Sequence, residues 1–158
     1  MTDRSVTHAT IVMERTYDAS PARVFAAWAD PVVKARWFAS PEEWGPDEFE
    51  LDFRVGGREI NRGGPKGGPV YTYDARYQDI VAGERIVYTY SMHLDKALIS
   101  ISVATVEFKA EGAGTRLVLT EQGAYLDGRD SPGQREHGAG ELLDALGAEL
   151  GRESAGSR

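Results

Sequence analysis

Few side chains in this chain could carry acid–base chemistry or anchor a ligand. It has three histidines, His8, His93 and His137, and no cysteine. Thiol nucleophiles, disulfides and cysteine-bound metals are therefore excluded. None of the histidines falls in an H-E-x-x-H or similar spacing, so no metal site and no cofactor are expected. The G-x-S-x-G nucleophile elbow is absent, which leaves Ser-His-Asp catalysis without local support. Two acid/base candidates remain. Glu121 shares the alternate-residue face of "GTRLVLTEQ" with Leu117 and Leu119. A carboxyl against such an apolar wall has a raised pKa and can give or take a proton; the alternative is a strand-end residue reaching water. His93 follows Met92 at the end of a strand, close to a loop. Glu14 also falls within a strand, and the pair Glu42/Glu43, beside Pro41 and Trp44, reads as a solvated loop.

Aromatic residues are the richest signal. Tyr71, Tyr73 and Tyr77 share one strand face, and Tyr88, Tyr90 and Met92 share another. Each buried phenol hydroxyl needs a hydrogen-bond partner, which makes this many tyrosines unusual in a dry core. A cavity with polar points on apolar walls would supply those partners as water or ligand. The residues alone leave cavity and core both open.

The glycine-rich stretch "GGREINRGGPKGGPVYTY", Gly56 to Tyr73, invites a phosphate-loop reading. The Walker pattern requires Ser or Thr after its Lys, and a following helix. Here Gly67 follows Lys66, and a strand follows the glycines. The stretch is read instead as a loop between antiparallel strands, forming a mobile rim beside whatever the sheet encloses.

The elements that would hold these residues follow from periodicity. "THATIVMERTY" is a strand with Ile11, Met13 and Tyr17 on one face. Ser20 and Pro21 give the cap and first position of a helix that carries Val24, Phe25 and Trp28 and ends at Pro31. A second short helix over "VVKARWF" stops at Ser40 and Pro41. "DEFELDFRVGG", "VYTYDARYQDIV", "ERIVYTYSM", "LISISVATVEFKA" and "GTRLVLTEQ" read as further strands, with a bulge expected near Val103 where the alternation slips. Ser131 and Pro132 then start a long helix bearing Leu142, Leu143, Leu146 and Leu150, and 151–158 reads as a frayed tail. Strands joined by short turns are antiparallel. A twisted sheet needs one face covered, and the last helix is the element long enough to do it. The result is an α+β chain with a helix in the concave face of a sheet, in a single domain over 1–158 with its core at about 7–150.

At 158 residues, 41% apolar and 27% charged, the chain can fill a core unaided. Its net charge of −7 argues against nucleic acid and anionic membrane surfaces as partners. No apolar run approaches the roughly 20 residues of a membrane span, and "MTDRSVTHAT" lacks a signal-peptide core. A cytoplasmic location without membrane insertion is expected. A homodimer through the sheet edge near the N-terminus is one association the strand order allows.

The blocks "ERTYDASPARVFAAWADPVVKARWF", "FELDFRVGGRE", "YDARYQDIVAGERIVYTY", "ATVEFKAEGAGTRLVLTEQG" and "REHGAGELLDALGAEL" resemble the activator of Hsp-90 ATPase homologue-like proteins of the START/pollen-allergen/polyketide-cyclase (SRPBCC) superfamily. The resemblance runs from about Thr7 to Leu150, with Asp18 to Pro31 its strongest part. It implies a helix-grip fold: about seven antiparallel strands curled around the C-terminal helix, with a cavity between. It does not imply one activity; the tyrosine-lined faces, the mobile glycine loop and the absent catalytic motif favour non-catalytic binding of a hydrophobic or aromatic small molecule as the partner. Trp28, Trp37, Tyr71, Tyr73, Tyr88, Tyr90, Met92, Phe108 and Leu143 would form the walls, and His93 and Glu121 the polar anchors. Two alternatives go with it: a cyclase- or hydrolase-type enzyme using Glu121 or His93, and a chaperone-associated interaction module. In many relatives a Trp follows the Gly at the start of the last helix; here "HGAGELL" has Ala139 and Gly140.

Overall fold

Apolar residues alternate along most of the extended segments, and the computed structural model builds them into one antiparallel sheet. It describes residues 4–38, 44–45 and 48–156. Strand β1 (Val6–Tyr17) leads into helices α1 (Pro21–Ala29) and α2 (Pro31–Trp37). Strands β2 (Glu48–Leu51), β3 (Arg58–Gly63), β4 (Tyr71–Val81), β5 (Arg85–Leu94), β6 (Ala97–Glu111) and β7 (Gly114–Leu126) follow, and helix α3 (Pro132–Gly156) ends the chain. The sheet order is β1-β7-β6-β5-β4-β3-β2. Successive strands pair as hairpins from β2 to β7, while β1 reaches across the chain to β7. The seven-stranded helix-grip architecture is thus present.

The helices start where their caps dictate. The Ser20 hydroxyl accepts the Arg23 amide at 3.3 Å, and Pro21 opens α1. Asp30 closes α1 and opens α2, its Oδ1 accepting from the Val32 amide at 2.9 Å. Ser131 Oγ accepts the Gln134 amide at 3.2 Å at the start of α3. Ser40, Pro41 and the Glu42/Glu43 pair lie outside the described residues.

Helix α3 lies against the concave face, with Leu143, Leu146 and Leu150 buried. Its glycines are where it touches β1. A Cβ on Gly140 would stand 3.2 Å from Met13 Cε, and one on Gly147 3.3 Å from the Tyr17 ring. The helix propensity these residues forgo is offset by close approach. The Tyr17 hydroxyl then donates to the Leu143 carbonyl at 2.7 Å. The helix also continues through the segment expected to fray, as far as Gly156, with Arg152 bonded back to Glu149 at 2.8 Å across its last turns.

Three expectations are corrected. The strand expected over "DEFELDFRVGG" is only Glu48–Leu51. The chain turns through Asp52–Gly57, where the Gly57 amide donates to the Arg54 carbonyl, and a Cβ on Gly57 would fall 2.0 Å from the Asp52 carbonyl oxygen. The glycine-rich stretch is not one loop, because β3 runs through its middle. Its inward residues, Glu59 and Asn61, are polar, and this conceals the strand from a hydrophobicity pattern. The irregularity in β6 lies at Ile99, not Val103. Met92 pairs with Ser100 and His93 with Leu98, so Ile99 is the extra residue. Ile99 and Ser100 are both buried.

Candidate functional site

The inward rows of β4 and β5 carry phenol rings toward α3, and the two surfaces do not close on each other. Between them lies a cavity of about 430 Å³, within the ~300–1,000 Å³ typical of small-molecule sites. Tyr71 and Tyr73 from β4, Tyr88, Tyr90 and Met92 from β5, and Leu119 and Glu121 from β7 form its sheet wall. Gly138, Ala139, Leu142 and Leu143 of α3 form the opposite wall. Trp28, Trp37, Phe38 and Trp44 close one end, with Asn61 and Gly63 of β3 beside them. Arg129, Asp130, Gln134 and Arg135, around the start of α3, close the other.

The aromatic wall is ordered by ring contacts. Tyr73 lies 4.9 Å from Tyr90 and 5.1 Å from Phe38, centroid to centroid. Trp28 and Trp37 meet edge to face at 4.9 Å, and the Trp37 indole donates to the Ala27 carbonyl at 3.0 Å. Trp44 and Tyr71 stack at 5.8 Å, nearly parallel. Burial raises the pKa of Tyr73, Tyr88 and Tyr90 well above the ordinary tyrosine value. These phenols therefore stay protonated and remain donors at any physiological pH.

Glu121, 5% exposed, is the buried carboxyl of the sheet wall, and Asp130, 6% exposed, is a second buried carboxyl at the α3 end. Glu121 Oε1 accepts the Tyr90 hydroxyl at 2.9 Å. Loss of water around it raises its pKa, and the Tyr90 hydrogen bond and the Arg135 charge partly oppose that rise. Arg135 Nε lies 3.4 Å from Asp130 Oδ2, an ion pair without hydrogen-bond alignment. Asp130 Oδ1 accepts the Ser131 amide at 2.8 Å. Behind this end, the hydroxyls of Ser102 and Tyr125 are buried without hydrogen-bond partners. Both crowd over Gly123, where a Cβ would stand 2.9 Å from each oxygen.

Nine of the residues named from the sequence surround this space: Trp28, Trp37, Tyr71, Tyr73, Tyr88, Tyr90, Met92, Glu121 and Leu143. Two do not. His93 is next to Met92 but points to the other side of β5, across from Thr72, so it is neither an anchor nor an acid/base group for the cavity. Phe108 faces inward but lies further along β6, packed against Phe25 at 5.5 Å and Trp28 at 6.4 Å, behind the cavity. Tyr77 is also drawn away. Its hydroxyl donates to Glu59 Oε1, which also receives the Lys34 ammonium at 2.6 Å. Of the other carboxylates considered, Glu14 pairs with Arg116 at 2.9 Å on the outer face of the sheet. His8 is exposed on β1, and His137 on α3 meets Glu141 at 3.0 Å in an exposed pair.

Sequence reasoning missed Arg135, Asp130, Gln134 and Asn61. A signal for the first was present: extending the Leu143–Leu146–Leu150 stripe back by helical steps gives Ala139 and then Arg135. Asn61 was hidden with its strand.

Comparisons with known proteins agree with this geometry. The family model described as "Activator of Hsp90 ATPase homolog 1-like protein" matches residues 18–151. The chain is 46% identical to a structurally determined, uncharacterised protein from Rhizobium leguminosarum, covering 96% of this chain and 99% of that one, with a TM-score of 0.90. It is 49% identical to the protein Mll3558 from Rhizobium loti, over 92% and 99% of the two chains, with a TM-score of 0.86. An AHSA1-like protein from Aeromonas hydrophila, at 24% identity over 95% and 96% with a TM-score of 0.69, shares the fold. No curated protein matches. Among the described residues no helix is long and apolar enough to cross a membrane. The architecture is, in general terms, that of a ligand-binding domain. Its sheet, its enclosed helix and a family match over most of its length place the chain in the Activator of Hsp90 ATPase homolog 1-like protein family.

Proposed function

We propose that the chain binds a hydrophobic or aromatic small molecule between the sheet and α3, without turning it over. One observation carries this reading: a space of about 430 Å³ walled by tyrosine and tryptophan rings, with hydrogen-bonding groups gathered at one end. Apolar walls with a few placed polar groups are what small-molecule sites require. The phenols, held protonated by burial, offer hydrogen bonds without offering a base. Intrinsic fluorescence and thermal-shift titrations against lipids, flavonoids and aromatic polyketides test it. Saturable quenching with a raised unfolding midpoint is expected for at least one class. Ala139→Trp would fill the space from the α3 side and should weaken that binding about tenfold or more, without loss of fold. A panel without a saturable response, or an Ala139→Trp protein that binds as the wild type does, would overturn the reading.

One observation favours a second reading, in which Glu121 acts as general acid or base. Its carboxyl lies in the cavity wall, is oriented by Tyr90, and has its pKa raised by burial, the tuning such a role needs. Once a bound ligand is known, product formation that Glu121→Gln abolishes would support it.

A further inference from the structure

The cavity has two unlike ends. Toward α1 and α2 it is aromatic, with Trp37, Phe38 and the stacked Trp44–Tyr71 pair. Toward the start of α3 it is polar. Glu121 offers one oxygen to Tyr90, and among the described residues nothing is hydrogen-bonded to its second oxygen, Oε2. Glu121 lines the cavity beside Leu119, and its Oε2 is not among the fully buried atoms, so it is an acceptor that a ligand can reach.

The charges around it restrict what can fill that position. Two carboxylates, Glu121 and Asp130, and two guanidiniums, Arg129 and Arg135, meet at this end, so with all four ionised it is balanced. A carboxylate-bearing ligand would add an unbalanced negative charge beside Glu121. An ammonium would face Arg135 and Arg129. A neutral hydroxyl disturbs the balance least, and a carboxylate oxygen accepts from it directly.

From this geometry we infer that the α3 end of the cavity recognises a neutral hydrogen-donating hydroxyl, a phenol or alcohol on an aromatic body, with Glu121 Oε2 as its acceptor. Tyr90 positions the carboxyl through its hydrogen bond to Oε1, and Arg135 positions it by charge. The inference rests on the proposed cavity binding and adds the chemistry of the ligand's head group. The aromatic body would lie toward Trp37 and Phe38, so the ligand has one polar end.

Calorimetric titration of the full chain with naphthol, its methyl ether and naphthoate at neutral pH tests it. The three share a body and differ in the head group. Naphthol should bind about tenfold or more tighter than either of the others, the scale of one hydrogen bond to a charged acceptor. Glu121→Leu should bring naphthol down to the affinity of the ether. Tyr90→Phe, which keeps the ring in the wall, should reduce the preference by a smaller factor and serves if Glu121→Leu does not fold. Equal affinity for naphthol and its ether, or tighter binding of naphthoate, overturns the head-group assignment and leaves the cavity reading standing. A preference that survives in the folded variants overturns the role of Glu121. Failure of all three probes to bind overturns the head-group assignment and counts against aromatic binding in the cavity itself.

Discussion

Glu121 and Lys34 are both buried ionisable side chains, and they are held in opposite ways. Glu121 has a phenol as its hydrogen-bond partner, and burial raises its carboxyl above the ordinary value of 4.5. A raised folded-state pKa means that folding favours the protonated form. The stability this gives is fully present below the unfolded value and is lost as pH rises through the raised one. Glu121→Gln, a neutral mimic that can still accept from Tyr90, should therefore be more stable than the wild type at neutral pH. Urea denaturation across a pH series should show that advantage vanish in acid; a gap independent of pH would be inconsistent with a buried charge as its cause. Lys34 is 1% exposed and sits over the Phe38 ring at 4.6 Å, with Glu59 as its counter-ion. Burial lowers its pKa and the Glu59 charge opposes the shift. Lys34→Met would leave Glu59 buried without a counter-charge, at a cost of about 3–5 kcal/mol. The double variant Lys34→Met/Glu59→Leu should recover most of that loss, since an apolar pair of similar volume can replace a buried ion pair. Chemical denaturation of the single and double variants measures both.

Among the elements, legibility followed how well an element's inward face matched its period. β5 alternates cleanly, β4 does so as far as its irregularity after Tyr77, and α3 repeats its leucines at helical spacing, so their positions and most of the cavity wall could be read directly. β3 could not, because it inverts the rule: Glu59 and Asn61 point inward while Ile60 points out. Its buried carboxyl is satisfied by Lys34, 25 residues earlier, and by the Tyr77 hydroxyl, both brought to it by tertiary packing, and no local pattern shows that pairing. His93 was a different failure. Its parity with Tyr88, Tyr90 and Met92 already placed it on the other face, and chemical type outweighed period in nominating it. Phe108 had the correct parity on β6, but its distance along the strand from the cavity is not a property of alternation. The turn that separates β2 from β3 carries its own prediction. With a Cβ at Gly57 falling 2.0 Å from the Asp52 carbonyl oxygen, Gly57→Ala must move backbone rather than a side chain. A loss of about 1–3 kcal/mol is expected from such overpacking, read as a lower urea midpoint. A midpoint equal to the wild type's would mean that the turn readjusts freely.

At the scale of the whole molecule, the sheet and α3 together leave space that side chains do not fill. An occupant that binds only the folded chain adds stability by mass action, about 2.7 kcal/mol at one hundred times its Kd. This is the physical basis of the thermal-shift titration. It also explains why Ala139→Trp is informative: the indole would occupy the same space covalently, so the variant should gain little from added ligand.

The pairing of β1 with β7 has a temporal consequence. β1 lies at the sheet's edge and its neighbour is β7, with Val6 opposite Leu126. A chain emerging from the ribosome N-terminus first would expose its opening twelve-residue strand while every hairpin from β2 onward assembles without it. That strand can be sealed into the sheet only after β7 emerges, and clasped by Tyr17 only once Leu143 is available. Long-range closure of this kind is slow, so β1 stays unpaired until β7 has emerged and docked.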